Sequence, residues 1–501
     1  MVFRVSEAGL ETRAPHTITM NDFADLRLGL RGDVLIPGNP GYQEAVAAWV
    51  ANAGHRPDLV VLAECASDIQ LAVRFAGERG LPVGVQATGH GVLKPVTRGI
   101  LINTSRMQGV TVDPTTRTAR VEAGVKWKSV VPLAQEHGLA PLVGSTTDVG
   151  VVGYTLGGGT GWLARRYGFA ADRIVAADLV TADGDLVHVT EVAHPELFWA
   201  LRGGGGNFGI VTALEFELVP VDTVFGGNAF YPIARTKEVL STFAAWTKDL
   251  PPEITASAGI LRIPSLPDLP EPLQGATVVF VRACGIGNLD EVAAIIGPIR
   301  RIGDIAPVMD TFGVMPFGAI DAISMDPVDP MPLAGGTTSL NVLDAETIDR
   351  LVAVAGEDVE TPVMMIEIRY IEGAVDRMPR RDGVANRHDA PMAVMMGAVV
   401  PDPTLAPAIH AALAEVEAAL APASSGSLLL NFLHLGDGSR EQVQACYAKD
   451  DYLRLRQVKA ELDPGNMFRY NANIPPATVP GAPALAGAGV GSGLDLLGAY
   501  A

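Results

Sequence analysis

The sequence predicts an α+β protein made of two α+β units. Three observations carry this. From about residue 56 to 222, short apolar runs alternate with amphipathic, capped helical patterns. From about 223 to 435, a second set of strand-like runs is mixed with two long helical patterns. Three glycine clusters fall in the first unit: TGHG (88–91), GGGTG (157–161) and GGGG (203–206).

Taken in order, PDLVVLAE (57–64) reads as a buried strand. SDIQLAVRFAGERG (67–80) reads as a helix, with Ser67 and Gln70 as a capping box and Gly80 as its stop. LPVGVQ, GILINTS, GVTVD and RTARVEAG are strand candidates, and KWKSVVPLAQEHG is an amphipathic helix ending at Gly138. RIVAADLVTADGDLVHVT reads as a hairpin turning at Asp183-Gly184. HPELFWALRG is a short helix and IVTALEFELVPV a long strand. In the second unit, GATVVFVRACG and PVMMIEIRYIEGA are strand-like, and RTKEVLSTFAAWTKDL and LAPAIHAALAEVEAALAP are helical. The Met and Val runs PVMMIEI and PMAVMMGAVV are strand core first and pocket wall second. Residues 440–476 begin as helix and end in an Asn-rich, Pro-terminated segment; 477–501 hold one charge, Asp495, and read as a loose tail.

Length and composition set limits. At roughly 150 residues per domain, 501 residues suggest about three domains. With 48% hydrophobic and 19% charged residues, the chain has material for a sizeable core and is not a disordered protein. Fifty-six acids against 37 bases give a net charge of −19, which repels a phosphate backbone and argues against nucleic acid as a partner. Cys65, Cys284 and Cys446 are far apart and form no CxxC pair, so no metal site is expected. The first twenty residues lack the apolar core of a secretory signal, and no uninterrupted apolar run suits a membrane helix. A cytoplasmic protein with no membrane partner is the expectation; the oligomeric state stays open.

Glycine lets backbone N–H groups approach an anion with no Cβ in the way, and it accepts positive φ. One such loop is commonly just a turn. Three in one unit suit a ligand carrying a pyrophosphate. GGGTG is not followed by Lys-Ser or Lys-Thr, so it is no P-loop, and no strand–GxGxxG–helix unit with a distal acid is present.

Four segments then resemble one family: TGHG, VGVVGYTLGGGTGWLARRYGFAADRI (149–174), HPELFWALRGGGGNFGIVT (194–212) and YLRLRQVKAELDPGNMFRYNANIPP (452–476). They are similar to the FAD-binding (PCMH-type) domain of the vanillyl-alcohol oxidase superfamily, closest to its berberine-bridge-enzyme-like branch. The resemblance implies a two-part FAD-binding domain plus an α+β substrate domain whose antiparallel sheet covers the flavin. The implied divisions are 1–55, packing on the FAD domain; 56–222, the FAD domain; 223–439, the substrate domain; 440–476, a segment returning to the FAD domain; and the tail.

The resemblance also implies a cofactor site. Backbone N–H groups of Ala87, Thr88, Gly89, Gly91, Gly157 and Gly158 would hold the pyrophosphate. Ile210 and Val211 would lie near the adenine, and Asn471 and Asn473 would return to the flavin. Ser145, Thr146, Gly150, Gly153, Gly161, Asn207 and Gly209 complete the matching cofactor positions. His90 stands where relatives bond a histidine to the flavin, a link that fixes the cofactor and strengthens it as an oxidant. Many relatives add a cysteine at the place of Thr146; a thioether there is impossible, so a single histidyl link is expected.

The resemblance places the reacting groups on the substrate domain. Sugar-oxidising relatives carry a tyrosine base at the position of Leu429, in SLLLNFLHLGDG (427–438), within a strand-like stretch. That base is missing. Glu367 and Arg369, on one face of the strand MMIEIRYIEGA opposite Ile366, Ile368 and Tyr370, are the alternative, with Glu367 as proton acceptor. An isolated Glu-x-Arg pair is more often a solvated edge. Tyr154, His388 and His434 are weaker candidates; Tyr154 sits where relatives often place His or Tyr near the flavin. The expected function is an FAD-dependent oxidase or dehydrogenase acting on CH–OH or CH–NH of a small or medium hydrophobic metabolite, with secondary metabolism as the expected setting. O2 or another acceptor would reoxidise it. A flavin-binding protein with a lapsed catalytic site is the alternative.

Overall fold

The computed structural model describes residues 20–267, 269–377, 383–385 and 390–478. His388 and the expected tail beyond 478 lie outside the described residues. The chain forms three sheets. In the first, Leu59–Leu62, Ile100–Asn103 and Val83–Gln86 run parallel, with Asp33–Leu35 antiparallel at one edge. Parallel neighbours need a crossover, and the helix Ala66–Arg79 supplies it. Its capping box does not form. Ser67 Oγ turns to Cys65 Sγ, while the Asp68 carboxylate accepts from the N–H groups of Arg31, Gly32 and Glu64. That carboxylate satisfies three donors at once and ties the N-terminal segment to the helix.

The second sheet is antiparallel, in the order Val110–Asp113, Thr118–Glu122, Ile210–Glu217, Ile174–Val180, Leu186–Thr190. The third has eight antiparallel strands, centred on Thr223–Pro232, Thr277–Gly285, Ile254–Arg262, Met365–Tyr370, Met392–Val399 and Leu333–Leu340. Its two faces separate by the two-residue period. Ile366, Ile368 and Tyr370 point into a core shared with the helices Thr236–Trp246, Leu289–Arg300, Ala345–Ala355 and Ala406–Leu420. Val224, Cys284, Ile371 and Ala393, on the other face, join the core of the glycine-rich unit. One face of the third sheet therefore roofs the first unit.

The helical run 403–423 has the length and apolarity to cross a membrane, but Ile409, Leu413, Val416 and Leu420 pack in the core behind the third sheet and Glu415 and Glu417 face out. Its apolarity reflects an alanine-rich outer face.

The stretch around Leu429 differs from its reading as strand. Leu430–Phe432 is a 3-10 turn, and Leu429, Phe432 and Leu433 are buried in the core of the first unit. The chain has thus rejoined that core by Leu429, before residue 440. The C-terminal helix Lys449–Leu462 and the segment after it close over the GGGG loop. Asn207 donates to the carbonyls of Gly204 and Ala472 and accepts from the Ile474 N–H. Lys459, with no solvent exposure, donates to the Asn207 and Phe468 carbonyls and pairs with Asp463.

Candidate active site

The loop Ala87–Gly91 leaves the parallel strand Val83–Gln86 at its C-terminal end. Its carbonyls are anchored from outside: Trp49 N–H donates to Thr88 O at 2.9 Å and Val50 N–H to Gly89 O at 3.2 Å. Among the described residues, the N–H groups from Thr88 to Gly91 meet no acceptor. Gly89 sits at φ +76°, and a Cβ there would lie 2.5 Å from Ala48 Cβ, so only glycine keeps this turn. The result is a row of unused donors on a rigid frame, the arrangement that binds phosphate oxygens.

His90 ends the row. Its ring stacks on Trp49, centroids 4.4 Å apart and planes 15° from parallel, and Nδ1 lies 2.9 Å from Thr88 Oγ1. Burial lowers the imidazole to about 4; Asp148 pulls it up and Lys126 pushes it down by smaller amounts. At neutral pH His90 is uncharged, with a lone pair on one ring nitrogen. Trp49 is a site residue that sequence reasoning missed, because it lies forty residues upstream with no motif around it. Its strand-like neighbourhood also bonds to Met331 in both directions, so one short segment touches the His90 loop and the substrate domain.

The second glycine motif meets the first. The helix Val151–Leu156 starts at Gly150, where a Cβ would be 3.5 Å from Thr88 Cγ2 and 3.7 Å from Ala87 Cβ. Four residues on, Tyr154 presents a buried hydroxyl with no partner among the described residues. Burial raises that phenol, and the charge of Arg369 opposes the rise. Helix and loop are pinned by Asn431, which accepts from Gly159 N–H at 2.7 Å and donates to Tyr154 O at 3.0 Å. Gly158 has φ +110°. A Cβ on Gly153 would meet nothing within 4 Å, which leaves room beside it. Gly161 is different: a Cβ there would strike the Val143 carbonyl at 1.8 Å, so this glycine serves close chain packing. Thr146 Oγ1 accepts from Asp148 N–H, and neighbouring Thr147 is tied by its N–H to Asp321 at 2.7 Å.

The third motif is closed by the C-terminal return. Gly209 has φ +152° and opens the strand that carries Ile210 and Val211, both buried. Asn471 donates to Gly206 O at 2.9 Å, while its Oδ1 and that of Asn473 are buried with no partner among the described residues. Unused loop donors, open glycine faces and orphaned amide oxygens lie along one path. The residues present fit an extended dinucleotide such as FAD, held mainly by backbone.

Facing this path, the third sheet carries Glu367 and Arg369. The solvated-edge alternative fails, since Glu367 is 1% exposed. Its Oε1 accepts from Ser257 Oγ at 2.7 Å and lies 3.5 Å from Arg282 Nη1; its Oε2 accepts from Arg369 Nη2 at 3.0 Å. Burial pushes the carboxyl up, but Arg369, Arg282 and the Ser257 hydroxyl together win and hold it at about 2. Arg369 also lines a small cavity with Ser145, Thr160, Gly161, Trp162 and Thr255. Arg369 and Ser145 are therefore brought to one place, and Tyr154 lies near enough for the charge of Arg369 to act on its phenol. His434 is half-buried beside Gly335, with its imidazole lowered by desolvation; it stays a local packing residue. Arg282 and Ser257 were not singled out from sequence. Each lies alone in an apolar strand, and only the register shows their convergence.

Comparison with known proteins agrees with this geometry. Residues 57–190 match the "FAD binding domain" model and residues 430–475 the "Berberine and berberine like" model. The chain is 30% identical over 471 residues to (R)-6-hydroxynicotine oxidase of Paenarthrobacter nicotinovorans, covering 90% of this chain and 98% of that one. An FAD-linked oxidoreductase of Dictyostelium discoideum is 28% identical, covering 92% and 97%. Among solved structures, 6-hydroxy-D-nicotine oxidase from Arthrobacter nicotinovorans superposes with a TM-score of 0.79 at 28% identity, covering 90% of this chain and 99% of that one. Glucooligosaccharide oxidase from Acremonium strictum, whose FAD carries both cysteinyl and histidyl links, shares the fold with a TM-score of 0.78 at 18% identity, over 92% and 100%. The fold and site define a PCMH-type flavoprotein. Within that class, the chain belongs to the berberine-bridge-enzyme-like FAD-linked oxidoreductases of the vanillyl-alcohol oxidase superfamily.

Proposed function

We propose that this oxidoreductase is an oxidase that takes a hydride from the carbinol carbon of a small-molecule alcohol and returns the electrons to O2. In this reading, FAD is held by one covalent bond, to His90. Bound FAD supplies the hydride acceptor and the route to oxygen. The observation that carries the reading is the buried Glu367–Arg369 pair on the sheet that faces the cofactor path.

Arg369 is the reason for preferring an alcohol to an amine. A guanidinium in a dry site stabilises an oxygen that gains negative charge and disfavours a cationic nitrogen product. The same charge that makes Glu367 a weak base makes a nearby substrate hydroxyl a stronger acid, so the two are matched. Glu367 is ionised at every physiological pH and takes the proton. Tyr154, a neutral phenol, donates a hydrogen bond to the substrate oxygen and orients it. Leu429 fills the place of the relatives' tyrosine with packing, which leaves the proton to the Glu367 side of the pocket. His90, uncharged and stacked on Trp49, has the free nitrogen that attachment requires; with threonine at 146 no thioether can form beside it. The cytoplasm, where an acidic chain with three free thiols is at home, is the proposed location.

The test has two readings from one preparation. Acid-precipitated protein should stay yellow, with the flavin peptide mapping to His90. Mixed without air with a panel of primary and secondary alcohols and matched amines, the flavin should bleach with some alcohols and recover its colour on admission of air. Flavin released wholly by acid would remove the histidyl link. Flavin bleached by amines alone would reverse the choice of substrate class, and flavin bleached by nothing would favour a lapsed site.

A further inference from the structure

The third sheet carries more polar groups than the pair used above. Its register sets Asn228 opposite Arg282, Arg282 opposite Ser257, and Ser257 opposite Arg369. Four neighbouring strands thus present one polar row to the face that roofs the cofactor path. The groups of this row are not equally satisfied. Both Glu367 oxygens are taken, by Ser257 and Arg369. Arg282, 2% exposed, has only the 3.5 Å approach to Glu367 and the ring of Phe280 at 4.2 Å, and its Nε has no partner among the described residues. Asn228 is fully buried, and neither its amide oxygen nor its nitrogen has a partner among the described residues. Ser324, 3% exposed, lies on the helix Asp321–Ser324 laid over these two strands, and its hydroxyl also has no partner among the described residues.

A buried polar group without a partner is unfavourable, and a buried cation without a full counter-charge is more so. Here two buried guanidiniums share one carboxylate. Asp326 acts on Arg369 through space but is only half-buried. The unsatisfied atoms are mostly donors, so the group that completes them is rich in acceptor oxygen and negatively charged. We propose that Arg282, with Asn228 and Ser324 beside it, seats a carboxylate on the substrate. This inference rests on the alcohol-oxidase reading and narrows it to hydroxy acids. Arg282 and Arg369 are two strands apart, about 10 Å between backbones. Their guanidiniums nonetheless both reach the one carboxylate of Glu367.

Binding to the holoenzyme tests this. 4-(Hydroxymethyl)benzoate and phenylacetate are titrated by calorimetry, each beside its neutral amide. The carboxylates should bind more tightly than the amides by about tenfold to a hundredfold, the range for losing a hydrogen-bonded charge partner. Arg282→Met should abolish that preference, Arg282→Lys should keep part of it, and Asn228→Leu should weaken it even if the Met variant does not fold. Equal affinity for acid and amide, or a preference that survives both Arg282→Met and Asn228→Leu, would overturn the proposal and leave water as the occupant. Calorimetry needs no flavin reduction, so a dead oxidase can still pass. An enzyme that oxidises neutral alcohols as efficiently as their acids would overturn this inference alone.

Discussion

Glu367 shows how little of a residue's chemistry its sequence position reveals. Period-two alternation along MMIEIRYIEGA places it on the face of Arg369, and that much was legible. The second guanidinium was not, because Arg282 arrives from a strand 85 positions away in the chain. Two cations settle a balance the strand alone left open. The carboxyl drops from 4.5 to about 2, against its burial. The consequence is measurable. A depressed folded value contributes stability that is fully present above the unfolded value and is lost as pH falls toward the folded one. Glu367→Gln leaves two buried guanidiniums without their counter-ion, at a cost of about 3–5 kcal/mol. The melting gap between parent and variant should be full at pH 6 and should close between about pH 4.5 and 2. A gap that stays constant down to pH 3 would show that the carboxyl is not held low. Per loaded flavin, reduction by the true substrate should also slow by about 10²–10⁴.

Elements were read best where period and punctuation agreed. The hairpin at Asp183-Gly184 and the strand Ile210–Glu217 formed as expected. The helix Ala66–Arg79 ran to its glycine stop, yet its cap differed, since Asp68 offers a carboxylate to three backbone donors and outcompetes a serine hydroxyl. SLLLNFL misled for a different reason. A short apolar run does not distinguish strand from buried turn. Asn431 decides the matter, by reaching from the 3-10 turn to bond both the helix Val151–Leu156 and the second glycine loop. Asn431→Ala would leave the Gly159 N–H and the Tyr154 carbonyl without these bonds. We expect a loss of about 1–3 kcal/mol in thermal unfolding. With His90 also replaced by Ala, FAD affinity should fall below that of His90→Ala alone. Unchanged melting and unchanged FAD affinity would mean that the loop holds its shape without this pin.

At the scale of the whole molecule, the two-part FAD domain was expected from resemblance alone; nothing in local pattern announces a contact across most of the chain. Its physical basis is the Lys459 amine, buried with Asp463 and two carbonyls. A second tie is Arg165, which is 3% exposed and donates to the carbonyls of Glu372, Pro251 and Leu250 on the substrate side. Both are cations deep in a chain with net charge −19, and both donate largely to backbone oxygen. Lys459→Met removes the charge and leaves Asp463 buried with backbone donors only. We expect destabilisation of about 3–5 kcal/mol, faster proteolytic release of the C-terminal segment and a lower flavin content. A variant as stable and as yellow as the parent would show that the segment is held by its apolar contacts.

The clasp between Asn207 and Ile474 has a temporal side. The two residues are 267 positions apart. A ribosome adding about 5–20 residues each second needs roughly 13–53 s to supply that length. During the wait, the GGGG loop exists without its cover and with buried donors unanswered. The first unit must then persist as an open half-site, exposed to chaperones and proteases, until the last twentieth of the chain emerges. Closure of the cofactor path thus waits on the segment that follows the helix Lys449–Leu462, which acts as the latch of an otherwise finished vessel.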